Sequence, residues 1–355
     1  MTSDGERAAL REAVRGLLAK GTSVRAAMES AEGYDRELWA RLCTEIGVAA
    51  LAIPERYGGL GAGPLETHVV LDELGRTLTP SPMLGSAVLA AQALLASGDD
   101  EACLRLLPPI ASGDALAAVA WAGPSGHWSP DETAFQASSG GRLSGEAHYV
   151  LDGHLADTLL AVADGGLYEV DLRSPGVTRA AVTTMDLTRR LAVVRLGDVP
   201  ARRLGAGSPL AAIRDVACVA LSAEQSGATR RALELTVEHA RTRVQFGQPI
   251  GAFQAIQHRL ADLHVLAESA RSLSYAAATA LSTGAADASR LAAVAKVACS
   301  EAFERVAGEM IQLHGGIGIT WEHDAHLYFK RAHATAHLFG HPRDHAGRLA
   351  TMVLG

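Results

Sequence analysis

The sequence predicts an α+β fold, mostly helical, in three successive parts. Residues 1–112 form an N-terminal helical domain, residues 113–205 a central antiparallel β domain, and residues 206–355 a C-terminal four-helix bundle. Three observations carry this. Apolar residues recur at helical spacing in both flanking thirds. The middle third breaks into short apolar runs separated by Gly, Asp, Ser and Pro. The 355 residues, 48% of them hydrophobic, suffice for several domains around a substantial core.

In the first part, Leu38, Leu42 and Ile46 keep one helix face after Tyr34-Asp35. The run Gly47–Pro54 reads as a helix stop followed by a short extended stretch. Residues 54–63 are loop, because four glycines in that span disfavour a helix. Pro64 suits a first helical turn, with helix continuing from Leu65 to Leu78. In the second part, Leu116–Trp121, Thr158–Ala163, Leu167–Val170 and Leu191–Leu196 read as strands. In the third, Leu260, Leu263, Ala267, Ala270 and Ser274 share a face, as do Leu291, Val294, Ala298, Ala302 and Val306. Long Ala-rich helices with short turns between them argue for a bundle.

Composition excludes several classes. Net charge is −7 and there is no basic stripe, so no nucleic-acid partner is expected. No run of eighteen apolar residues occurs, so no membrane span is expected. The start, Met-Thr-Ser-Asp-Gly-Glu, lacks the basic and apolar regions of a secretory signal. Cys43, Cys103, Cys218 and Cys299 are far apart with no CxxC pair. They read as reduced core residues of a cytoplasmic protein. His333, His337, His341 and His345 are spaced by four, but Gly340 and Pro342 interrupt the helix between the second and third, so no metal site is expected. Arg189-Arg190 reads as a solvated turn at the β-domain edge, or as a site for a ligand phosphate.

Two segments carry the functional signal. The first is Arg243-Thr-Arg-Val-Gln-Phe-Gly-Gln-Pro-Ile-Gly-Ala-Phe-Gln254 before one long helix; the second is Gln312-Leu-His-Gly-Gly-Ile-Gly318 after another. An arginine pairs with a diphosphate at full charge. Glycines permit close backbone approach, and glutamines offer neutral hydrogen bonds. With Tyr57-Gly-Gly-Leu-Gly-Ala and the helical–β–helical order, these segments resemble those of the acyl-CoA dehydrogenases over essentially the whole chain. The resemblance implies that family's fold and an FAD cofactor. It places Arg243, Phe246, Gln254, Gln312, Gly315 and Gly316 against the adenine and pyrophosphate half of FAD held mainly by another subunit. It also implies an acyl-CoA substrate, α,β-dehydrogenation and an electron-transfer flavoprotein as electron acceptor.

The chemistry needs a carboxylate near the substrate α-carbon. Where the family commonly carries Tyr-Glu-Gly-Thr, this chain reads Leu338-Phe339-Gly340-His341, so Phe339 stands at the base position. A second family location for the base falls at Ala217. Nearby carboxylates are Asp215 and Glu224, the latter expected as a helix-surface or interface group with a minor claim to be the base. The flavin-facing segments also depart: Ala120–Gly126 replaces a Thr- and Asp-containing loop, and Tyr149–Gly153 puts Leu151 where a hydroxyl is usual. The residues lent to a neighbour's FAD are kept while those for the chain's own flavin ring are eroded. The expectation is therefore a subunit that completes a shared FAD site with a paralogous, base-carrying subunit, for a bulky or steroid-derived acyl-CoA. The alternatives are a self-sufficient homo-oligomer with Glu224, Asp215 or His341 as base, and a flavin-free structural pseudoenzyme.

Overall fold

A computed structural model describes residues 3–21, 23–129 and 132–354. The N-terminal part holds α1 (Asp4–Leu18), α2 (Val24–Glu29), α3 (Arg36–Arg41), α4 (Pro64–Arg76), α5 (Ala91–Ser97) and α6 (Asp100–Ser112). Ser3 and Glu6 form a reciprocal capping box on α1, and Asp35 caps α3. Two stretches deviate from regular helix. Leu42–Ile46 continues α3 as a π turn, and Met83–Ala90 is π-helical before α5. Helix α4 stops at Arg76, and Leu78 takes a left-handed φ of 51.

The strands are β1 (Ala117–Ala120), β2 (Phe135–Ala137), β3 (Arg142–Leu151), β4 (Thr158–Ala163), β5 (Gly166–Asp171), β6 (Val177–Val182) and β7 (Leu191–Leu204). They make one seven-stranded sheet. It is antiparallel except where β1 runs parallel to β4 and Phe135 of β2 pairs with Ala163. That mixture departs from the purely antiparallel expectation. Strand alternation reads burial, not direction, so it could not show which neighbour β1 takes.

The C-terminal part holds α7 (Leu210–Thr242), the hairpin β8 (Val244–Gln245) and β9 (Gln248–Pro249), α8 (Gln254–Thr283), α9 (Ala288–His314), α10 (Ala325–His337) and α11 (Pro342–Leu354). Helix α9 packs against α7, α8, α10 and α11. It is therefore buried beyond the single face the spacing suggested, with Lys296, Cys299 and Phe303 all enclosed. Helices α4 and α7 cross at two glycines. A Cβ on Gly227 would lie 1.8 Å from the Asp72 carbonyl oxygen, and one on Gly75 would lie 2.0 Å from that of Glu224.

Four buried cysteines are free thiols. Among the described residues, no helix is long and apolar enough to cross a membrane.

Candidate functional site

Helix α7 ends, α8 begins and α9 ends at the same end of the bundle, which brings the two sequence segments together. Arg243 closes α7, donating its backbone N–H to the His239 carbonyl at 2.8 Å, and its side chain is exposed. The hairpin that follows turns at Phe246 and Gly247, with φ of 52 and 80. Two left-handed residues are what a type I′ hairpin requires. Phe246 sits at the tip, 92% exposed, with Phe253 edge-on at 6.2 Å. Gln254 opens α8 and is exposed.

At the end of α9, Gln312 is exposed and Gly315 turns the chain with φ 63 and ψ −141. Gly315 and Gly316 are both exposed, with no atom within 4 Å of where a Cβ would sit. The two segments are joined underneath by rings. His239 of α7 stacks on His314 of α9 at 4.2 Å, and His323 closes on His314 at 4.4 Å. Apolar Ile319 and Trp321 extend the exposed surface.

Phe339 has the opposite setting. It is 1% exposed, on a left-handed backbone with φ 61. Its ring meets Trp128 edge-on at 4.6 Å, and Trp128 lies on Trp121 at 4.7 Å. The indole N–H of Trp121 donates to the Ser129 carbonyl, fixing the loop that delivers Trp128. Thus a column of three aromatic side chains runs from the β domain to the position of the base. The backbone around Phe339 is clamped twice. The His345 ring donates from Nε2 to the Phe339 carbonyl at 2.8 Å. The fully buried Lys296 ammonium donates to the carbonyls of Thr335 and Ala336 and to Ser300 Oγ. A cation there complements the C-terminal end of α10. Burial pushes that lysine down to about 8.

The alternative bases are occupied elsewhere. Glu224 is buried, correcting the surface position expected for it. Its carboxylate accepts from both Arg189 and Arg331. Burial alone would raise its pKa, but the two guanidiniums outweigh burial and hold it below the usual glutamate range. Arg331 also bonds Thr188 and pairs with Asp186. Arg189 is therefore no solvated turn, and neither is Arg190, which donates to the Met28 and Ser30 carbonyls. These arginines tie the β domain to α2, α7 and α10. Asp215 is buried and paired with Arg348. His341 is half-buried across the α10–α11 break, 5.1 Å from His337. His345 turns inward to Phe339, so the four-residue spacing of these histidines does not gather them.

A groove of about 760 Å³ lies beside α10, lined by Ser125, Gly126, Tyr149, His337, Leu338 and His341 among others. Ser125, Gly126 and Tyr149 come from the two segments expected to face a flavin, and His127, His333, His337 and His341 contribute four imidazoles to its wall. Sequence reasoning missed Trp128, Lys296 and the histidine stack. His314 lies within the second segment and His239 one turn before the first, which was the available signal.

The helical–β–helical order, with the two segments brought together at one end of the bundle, is the arrangement that the sequence resemblance implied. Family comparison agrees. Residues 4–114 match the acyl-CoA dehydrogenase N-terminal domain, and residues 215–345 match the acyl-CoA dehydrogenase C-terminal domain. The chain belongs to the acyl-CoA dehydrogenase family, FAD-dependent oxidoreductases acting on CH–CH groups.

Among its relatives is acyl-CoA dehydrogenase IpdE2 of Mycobacterium tuberculosis, 44% identical over 356 residues and covering 99% of both chains. The ChsE4–ChsE5 complex from Mycobacterium tuberculosis superposes with a TM-score of 0.91 at 31% identity, covering 100% of this chain and 98% of that one. A Tcur3481–Tcur3483 steroid acyl-CoA dehydrogenase variant superposes with a TM-score of 0.89 at 31% identity, covering 99% and 98%.

Proposed function

We propose that this chain is the cofactor-completing subunit of a heteromeric acyl-CoA dehydrogenase, paired with a paralogous subunit that carries the base. The observation behind this reading is the contrast between two places. The base position is an aromatic side chain sealed under Trp128, whereas Arg243, Phe246, Gln254, Gln312, Gly315 and Gly316 stand exposed together. The lent surface fits the adenine and diphosphate half of FAD: a guanidinium for charge, a phenyl ring for stacking, amides for hydrogen bonds and an open glycine turn. When bound, FAD supplies the hydride acceptor for α,β-dehydrogenation of an acyl-CoA. This chain's residues hold and orient its diphosphate end and exclude water there. The two-component relatives support the partnership, and the steroid acyl-CoA dehydrogenase supports a bulky acyl-CoA as substrate. An electron-transfer flavoprotein is the expected electron acceptor, and the cytoplasm the expected site.

The test is flavin absorbance and native mass of the chain alone and after co-expression with glutamate-bearing family members of the same genome. Colourless alone and yellow as a hetero-oligomer is expected. In that complex Arg243→Ala should weaken FAD binding about tenfold or more, as expected for losing a charge-assisted contact. The groove beside α10 favours a second reading, a self-sufficient flavoprotein. A yellow chain that acyl-CoA reduces without a partner would establish that reading instead. Unchanged flavin in the Arg243→Ala complex would leave a structural, flavin-free role.

A further inference from the structure

The proposed cofactor surface is built from two segments about seventy residues apart in sequence, and something must fix their spacing. The three-histidine stack lies at the junction. His239 is one turn before Arg243 and its carbonyl caps the Arg243 N–H. His314 immediately precedes the Gly315–Gly316 turn. The two rings lie nearly parallel, at 23° and 4.2 Å, and His323 covers His314 at 42° and 4.4 Å. The stack therefore joins the last turn of α7, the last turn of α9 and the segment leading into α10.

Hydrogen bonding fixes the chemistry of the central ring. His314 Nδ1 faces the Met310 carbonyl at 2.7 Å. A carbonyl only accepts, so Nδ1 carries the hydrogen and Nε2 carries the lone pair. That Nε2 is buried with no hydrogen-bond partner. A protonated ring would place a second, unanswered N–H there. Burial pushes His314 down to about 4, and burial followed by His323 and Arg243 pushes His239 down as well. At neutral pH these two rings stack as uncharged aromatic plates.

We propose that the His239–His314–His323 stack is a positioning element that sets the spacing between Arg243 and the Gly315–Gly316 turn for one shared cofactor. His239 is its positioning residue: it touches no cofactor atom and acts through the Arg243 backbone and the His314 ring. The inference rests on the cofactor-completing role above, whose failure the test separates.

The experiment uses the co-expressed hetero-oligomer stripped of flavin, with FAD affinity, native mass and melting temperature measured for His239→Ala, His239→Phe and Arg243→Ala. His239→Ala should assemble with unchanged mass and melting temperature yet bind FAD about three- to tenfold more weakly, the span a lost ring stack accounts for. His239→Phe restores a flat ring without ring nitrogens and should return the affinity to near wild type. Wild-type affinity in His239→Ala, or His239→Phe as weak as His239→Ala, would overturn the proposal. Loss of melting temperature in parallel with affinity would reduce the stack to general stability and also overturn it. Should His239→Ala fail to assemble, His323→Ala reads the same stack from its outer ring, with the same expected and overturning outcomes. Arg243→Ala without effect would sink the cofactor-completing role itself. Arg243→Ala weakening FAD while His239→Ala does not would sink this inference alone.

Discussion

Phe339 shows how a single buried ring is fixed from several sides. Its ring occupies an aromatic enclosure made with Trp128, and its backbone is clamped by His345 and by Lys296 through Thr335 and Ala336. Restoring a carboxylate there is expected to fail as repair. Phe339→Glu would put an unpaired carboxylate against the Trp128 indole, lowering stability by about 3 kcal/mol or more without creating dehydrogenation, as urea unfolding and an acyl-CoA assay would show. Glu224 differs, because its charge already has two partners. Glu224→Gln leaves Arg189 without its counter-ion and Arg331 with Asp186 alone, and should cost about 3 kcal/mol in the same unfolding measurement. Counting from Gln312 singled out Phe339 as the expected base position, and spacing alone could do no more. Its company was not, because Trp128 lies more than two hundred residues upstream. Glu224 was misread for the same reason: its cations come from positions 35 and 107 residues away.

At the scale of elements, the crossing of α4 and α7 is the tightest joint in the fold. Each helix contributes a glycine facing the other's backbone carbonyl, so the axes approach closer than any side chain permits. Neither carbonyl can swing aside without leaving its helix. Gly227→Ala should therefore destabilise by about 3 kcal/mol or prevent folding, and circular-dichroism melts would show it. Bundle helices were readable where one face is buried, as in α8, where Leu263, Ala267, Ala270 and Ser274 all point inward. They were less readable where four neighbours surround a helix, as in α9. The π segments Leu42–Ile46 and Met83–Ala90 left no trace in the spacing, because one extra residue per turn blurs a periodicity. The parallel pairing of β1 with β4 was illegible too, since alternation is the same in either direction.

For the whole molecule, buried imidazoles set a pH dependence. Burial pushes His68, His314 and His345 down to about 4 each. The unfolded chain titrates them near 6.5, so between about pH 6.5 and 4 it binds more protons than the folded chain. Their stability contribution is complete above that window and is lost as pH falls through it. Glu224, held below its ordinary range, adds a loss in the same direction at lower pH. The half-buried Asp152, pushed up to about 7 by burial, acts oppositely, since ionising it in place disfavours the fold as pH rises. Three histidines against one aspartate give a lower urea midpoint at pH 5 than at pH 7.5. Equal midpoints would contradict the burial of those rings. The family was legible because the segments that carry the resemblance are contiguous in sequence. The histidine stack was not, because its rings meet only when α7 and α9 end side by side.

The Phe246 tip has a consequence for the life of the chain in the cell. A phenyl ring presented to water on a tight hairpin, with Val244, Ile319 and Trp321 also exposed, is an invitation to adhere. A chain left with that surface uncovered would display the invitation continuously, open to chaperones, proteases and other exposed chains. Under the proposed pairing, balanced synthesis of the two subunits becomes a condition of the chain's survival as well as of catalysis.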